Sequence, residues 1–200
     1  EEENTEDMER MGGVIDNTDK DYLDTPVLMH VKARLPWLLV LMVSYVFTGG
    51  MIASFEKSLS AVIALVAYMP MLMGTGGNSG TQSSTVIITG MATGDLELSD
   101  VLRVLWKEFR IGIIVGICVS ILNYMRIVAF DHNGSLVALT VCLSMVLIVI
   151  IAKCIGALLP MIAKKIGIDP ALIAGPMMAS LTDMVALGTY FTMARLVLKI

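Results

Sequence analysis

Asp183 is an acid near the middle of a long apolar stretch, Ala171 to Ile200. A carboxylate at that depth in a membrane costs several kcal/mol unless it meets water, a cation or a partner. No base lies within two helical turns of it; the nearest on the same stretch is Arg195. The least costly partner is an exchangeable ion, so this residue points to cation transport. A hard cation such as Mg2+ takes oxygen ligands, is held by one or two carboxylates and keeps several of its waters. One Asp, with backbone carbonyls beside glycines and with amide and hydroxyl oxygens, suits such an ion. A soft metal fits badly. Cys118, Cys142 and Cys154 have no zinc or redox spacing and read as small core residues, and His30 and His132 fall at membrane edges. One carboxylate per chain leaves a divalent cation under-neutralised. A homodimer with its pore on the two-fold axis would bring two copies of Asp183 together, and these repel unless a cation lies between them.

The elements that must hold Asp183 are membrane spans. Hydrophobic residues make up 56% of the 200 and charged residues only 16%, with a mean hydropathy of +0.79. That composition specifies an all-α membrane protein of several helices in a lipid bilayer and excludes a nucleic-acid binder. A span needs about 20 mostly apolar residues. Five stretches qualify: about Leu35 to Phe55; one ending near Thr93 and starting between Leu59 and Met71; about Ile111 to Phe130; about Ser135 to Ile162; and about Ala171 to Ile200. With the N-terminus cytoplasmic, ten Lys and Arg residues lie inside and four outside, the expected bias, and the C-terminus is outside.

Two of these spans are interrupted. Residues 57–93 are too many for one straight span and too few for two, which predicts a short helix from about Lys57 to Tyr68 in the outer leaflet and a break at Pro70. Gly74, Gly76, Gly77 and Gly80 follow, mixed with Asn78, Ser79, Thr81, Gln82, Ser83, Ser84 and Thr85. Gly76 and Gly80 have the spacing of close helix packing. Packing alone does not require so many amides and hydroxyls, so the stretch reads as the lining of a pore or cavity. In the fifth span, Asp169-Pro170 makes a natural helix start. Gly175-Pro176 then interrupts it and frees a carbonyl, and Ala179 lies one turn before Asp183. Paired Gly/Pro-interrupted spans are the sequence pointer to a transport site.

The chain opens on Glu and reads as a piece of a longer protein. Residues 1–30 form an acidic cytosolic arm: ten acids against Arg10 and Lys20 fall within residues 1–24. Glu3, Glu6 and Asp7 share one face if helical. Together with Asp169 they could be drawn together by bound cations and repel one another without them, which would make a cytosolic cation sensor. Residues 31–200 form the pore domain.

The stretch Pro70-Met71-Leu72-Met73-Gly74-Thr75-Gly76-Gly77-Asn78-Ser79-Gly80-Thr81-Gln82 resembles the signature of the MgtE magnesium transporters and channels. Asp169-Pro170-Ala171 through Pro176 to Asp183 resembles their fifth helix, and Glu3-Asn4-Thr5-Glu6-Asp7 the end of their regulatory connecting helix, the plug. The resemblance covers essentially the whole chain. It implies a homodimer of five-span subunits in the plasma membrane, with a central pore built from the second and fifth helices. It implies that Asp183 holds hydrated Mg2+, assisted by Ala179, Gly74 and Gly77, with Asn78, Thr81, Gln82 and Pro176 lining the pore. It further implies that Glu3, Glu6, Asp7 and Asp169 bind regulatory Mg2+ and close the channel when internal Mg2+ is high. The helical N-terminal domain and paired CBS domains of that family are absent from this sequence. Thr81 stands where related chains often carry an amide.

Three other readings compete with a Mg2+ channel. A cation-coupled secondary transporter would also use a mid-membrane acid and broken helices. An intramembrane enzyme using Ser79 lacks a base, because no His lies inside a span. A structural scaffold gives no reason for Asp183. Mn2+, Co2+, Ni2+ and Ca2+ stay open as further substrates, because binding strength alone does not rank divalent ions physiologically.

Overall fold

The computed structural model describes residues 10–14, 22–56, 62–131 and 134–199. Among the described residues there is no strand, and the chain is a set of packed helices. Helix α1 is Val27–Ser54. A 3-10 turn, Ile63–Tyr68, leads directly into α2, Met69–Ala92. A second such turn, Leu98–Asp100, opens α3, Val101–Arg126, which continues as a π turn through Ile127–Asp131. Helix α4 is Ser135–Lys165. The last segment is split into a short α5, Ala171–Ala174, and α6, Pro176–Leu198.

Four helices among the described residues are long and apolar enough to cross a membrane: Val27–Ser54, Leu98–Asp131, Ser135–Lys165 and Pro176–Leu198. Helix α2 has 24 residues, about 36 Å at 1.5 Å per residue, so it has the length. Its glycines and polar residues make it less apolar than the other four. Large apolar residues such as Phe47, Ile114 and Leu122 point outward, which suits a surface in contact with hydrocarbon. The chain is a multi-pass membrane protein on these grounds.

Helix α4 is the hub, packed against α2, α3 and α6. Its Val141, Met145 and Ile148 join Leu72 of α2 and Leu187, Tyr190 and Phe191 of α6 in the main core. Small residues set the helix separations. A Cβ on Gly112 or Gly116 of α3 would crowd the backbone of Ile150 or Val146 of α4. A Cβ on Gly156 of α4 would overlap the carbonyl oxygen of Gly80 on α2, so these two backbones touch. Without a hydrophobic drive between helices in lipid, such contacts are what hold a bundle together.

The end of the bundle that carries Tyr68 and Asp131 is fixed by polar ties. The Tyr190 hydroxyl donates to the carbonyl of Leu65 at 3.0 Å, and the Tyr68 hydroxyl donates to Asp131 Oδ2 at 2.9 Å. Arg126 pairs with Asp131 at 3.2 Å. These bonds hold the 3-10 turn, and therefore the start of α2, against α3 and α6.

The structure adjusts several boundaries. Helix α1 starts at Val27 and α3 at Val101, each several residues before the apolar run, because Lys and Arg are good helix formers outside the bilayer. Of the predicted outer helix, 57–61 lie outside the described residues and Ile63–Tyr68 is a 3-10 turn. Pro70 does not break α2. It sits in the first turn, where its missing N–H has no partner to lose. Gly175 does break the last segment: its φ of −97° and ψ of −114° are non-helical, and α6 restarts at Pro176.

Gly156→Ala should force α2 and α4 apart. The expected cost is about 1–3 kcal/mol, the usual range for overpacking, read as a lower melting temperature of the purified protein in detergent. An unchanged melting temperature would contradict the backbone contact.

Candidate ion site

Gly74, Gly77, Asn78 and Thr81 follow the i, i+3, i+4, i+7 pattern, which puts them on one face of α2. Ala179 and Asp183 occupy one face of α6 in the same way. The two faces meet in a concavity of about 460 Å3 lined by Pro70, Met73, Gly74, Gly77, Asn78, Thr81, Ala179 and Asp183. The structure thus brings together six of the residues expected at the pore.

Each wall has a local cause. A Cβ on Gly77 would lie 3.8 Å from Cα and Cβ of Ala179, so two small residues let α2 and α6 approach. Gly74 has open space where a Cβ would go, and its backbone is bare to the cavity. Thr182 turns away from the cavity, buried against Gly80, with its hydroxyl 2.8 Å from the carbonyl of Met178 and 2.9 Å from that of Ala179. Asp183 is half-buried. It has no ion-pair or hydrogen-bond partner among the described residues. Among these residues no group of three or more His, Cys, Asp and Glu could hold a metal. A cation here would meet one carboxylate, the amide of Asn78, the hydroxyl of Thr81 and the backbone, a hard-oxygen set that suits an ion keeping most of its water.

The other expected residues lie elsewhere. Pro176 opens α6 and does not line the concavity. Asp169 sits before the break. Its Oδ1 accepts the Ala171 N–H at 2.9 Å, and its Oδ2 pairs with Arg10 at 2.5 Å. The Met11 carbonyl packs onto Gly175, where a Cβ would collide with it. The arm therefore docks at the break in the last segment. Glu3, Glu6 and Asp7 lie outside the described residues.

The polar stretch of α2 serves three environments rather than one. Asn78 and Thr81 face Asp183. Gly76, Gly80 and Ser84 are buried against neighbouring helices. Gln82 and Ser83 line a second, larger concavity of about 900 Å3, together with Lys107, Glu108 and Lys153. There Ser83 donates to Glu108 Oε2 at 2.5 Å, and Lys153 Nζ lies 3.5 Å from Ser83 Oγ. Sequence reasoning missed this buried cluster, as it missed Pro70 and Met73 beside Asp183. The signal for Glu108 was its position four residues before Gly112 and eight before Gly116, on the packing face of α3.

Comparison with known proteins fits this geometry. Residues 69–193, from the start of α2 nearly to the end of α6, match the family model MgtE, described as a divalent cation transporter. The chain belongs to the MgtE family. It is 40% identical over 199 residues to the magnesium transporter MgtE of Thermus thermophilus, covering 100% of this chain and 44% of that protein. It is 33% identical over 192 residues to the magnesium transporter MgtE of Bacillus subtilis, covering 90% of this chain and 42% of that one. A third relative, the magnesium transporter MgtE of Enterococcus faecalis, is 28% identical over 172 residues. The chain thus spans less than half the length of these curated relatives. The matched family is described as one of transporters, which gives the Ser79 enzyme alternative no support.

Gly74→Ala should leave folding unchanged, because its Cβ meets open space, yet reduce divalent flux by narrowing the cavity. Gly80→Ala, crowded by Thr182 at 2.9 Å, should instead lower the melting temperature. Melting curves and liposome flux on both variants separate the two effects; a Gly74→Ala protein with wild-type flux would remove that wall from the ion path.

Proposed function

We propose that this chain is the membrane-spanning part of a Mg2+ channel. The observation that carries the reading is Asp183, half-buried and without a partner among the described residues, at a concavity walled by α2 and α6. In this reading α2 is a fifth span, and two chains form a homodimer around a pore on the two-fold axis. The paired Asp183 carboxylates then hold one hydrated Mg2+, and the open backbone at Gly74 faces the ion. In this reading the protein lies in the plasma membrane with its N-terminus in the cytoplasm and its C-terminus outside, an orientation that the Lys and Arg distribution supports.

Chemistry follows from charge and hydration. Mg2+ sheds water reluctantly, so a wide, oxygen-lined site with few direct ligands passes it with its shell largely kept. Small backbone-exposing residues give that width, and the carboxylates offset the cost of a divalent charge in a low-dielectric surrounding. Asp169 and the arm supply regulation by cytosolic Mg2+: Arg10 now neutralises Asp169, and a cation held between Asp169 and the arm's acids would tighten the same docking at Gly175.

Planar-bilayer currents for wild type and Asp183→Asn test the ion site. The expected result is discrete openings that reverse at the Mg2+ equilibrium potential and fall at least about tenfold in the variant, the loss that corresponds to about 1.4 kcal/mol. Equal currents from both would put the ion path elsewhere. Slow flux without openings, still dependent on Asp183, would make the protein a cation-coupled carrier. For regulation, Asp169→Asn should raise the internal Mg2+ needed to halve the open probability; an unshifted dose response would remove Asp169 from the sensor.

A further inference from the structure

The concavity beside Ser83, Glu108 and Lys153 does not include Asp183, and its charge and lining point to another ligand. Glu108 and Lys153 are each more than nine-tenths buried. Glu108 sits three residues before the uncharged run 111–125 of α3, and Lys153 directly follows the uncharged run 135–152 of α4. With about 20 residues needed to cross the hydrocarbon, Glu108 lies at its edge, and Lys153, 3.5 Å from the Ser83 hydroxyl that donates to Glu108, lies at the same level. Exposed Trp106, with the Arg110 guanidinium 5.6 Å from its ring centre, marks the same level, as aromatic and basic residues do at membrane interfaces.

Charge narrows the class of ligand. Lys107, exposed at the cavity, and Lys153 carry two positive charges against the one negative charge of Glu108. The site is therefore complementary to a single negative charge. Glu108 has one oxygen bonded to Ser83 and can still accept from a ligand hydroxyl. Val86, Val104 and Ile111 make much of the remaining wall apolar, which a free phosphate would leave unused. Basic pockets between spans bind anionic lipid headgroups in this manner.

We propose that this cavity binds one anionic phospholipid with a hydroxylated headgroup, of the phosphatidylglycerol type. Its phosphate lies between Lys107 and Lys153, its headgroup hydroxyls donate to Glu108, and an acyl chain runs along Val104 and Ile111. Asn78 and Thr81 line this cavity as well as the one at Asp183, so the lipid backs the wall of the ion site.

The test is native mass spectrometry of the purified, delipidated protein after exposure to mixed vesicles of phosphatidylcholine, phosphatidylethanolamine and phosphatidylglycerol in equal parts. Wild type should retain one phosphatidylglycerol per chain in preference to the other two. Lys107→Ala should lower retention about fivefold, the effect of one basic residue at an anionic surface. Lys153→Met with Glu108→Gln, which removes the buried charges together, should lower it further. If that double variant does not fold, Lys107→Ala decides alone, because its side chain is exposed. Equal retention of the three lipids, or Lys107→Ala retaining as much as wild type, would overturn the proposal. Soluble glycerophosphoglycerol at equimolar level should fail to displace the lipid; displacement would identify a free-phosphate site and overturn it as well.

Discussion

Helix α2 reaches α4 and α6 only because it lacks side chains where the three meet. Gly80 touches Gly156 backbone to backbone and abuts Thr182, and Gly77 faces Ala179. In lipid, where apolar side chains gain little by leaving their surroundings, such close approach is the main source of helix association. It has a second consequence. The same approach brings the bare backbone around Gly74 and the amide of Asn78 to the carboxylate of Asp183. Packing and site are two outcomes of one glycine-rich surface, and a bulkier α2 would lose both.

The last segment is irregular ahead of Asp183. It breaks at Gly175, whose backbone is non-helical, and restarts at Pro176, with Asp183 two turns further on. The arm occupies that break: Met11 lies on Gly175, and Arg10 pairs with Asp169. A carbonyl packed on a glycine and an ion pair partly open to water are individually weak. That suits the reversible contact that the proposed regulation requires.

Much of this was legible in the chain. The lone mid-membrane acid and the Gly/Pro interruptions are local features, and the resemblance named Gly74, Gly77, Asn78 and Thr81, which share the face of α2 that meets Asp183. What was not legible depended on neighbours. Pro70 reads as a breaker, but its place in the first turn makes it an initiator. The hydroxyls of α2 read as one lining, yet Ser84 is buried in packing and Ser83 turns to Glu108, because helices on three sides claim different faces. Lys153 gave no sign of a partner in the sequence; the structure buries it beside Ser83 of α2. Glu3, Glu6 and Asp7 lie outside the described residues, and the sensing role proposed for them is supported by the sequence and by the docking of Arg10 and Met11.

The most direct test of the central claim is to locate the ion. Mn2+ can stand in for Mg2+ at an oxygen site and scatters anomalously. Crystals of the protein soaked in Mn2+ should give an anomalous peak in the concavity between Gly74, Gly77 and Asp183, and that peak should vanish in Asp183→Asn. A peak that persists in the variant, or one that appears only beside other residues, would contradict the assignment of Asp183 as the ion-holding group.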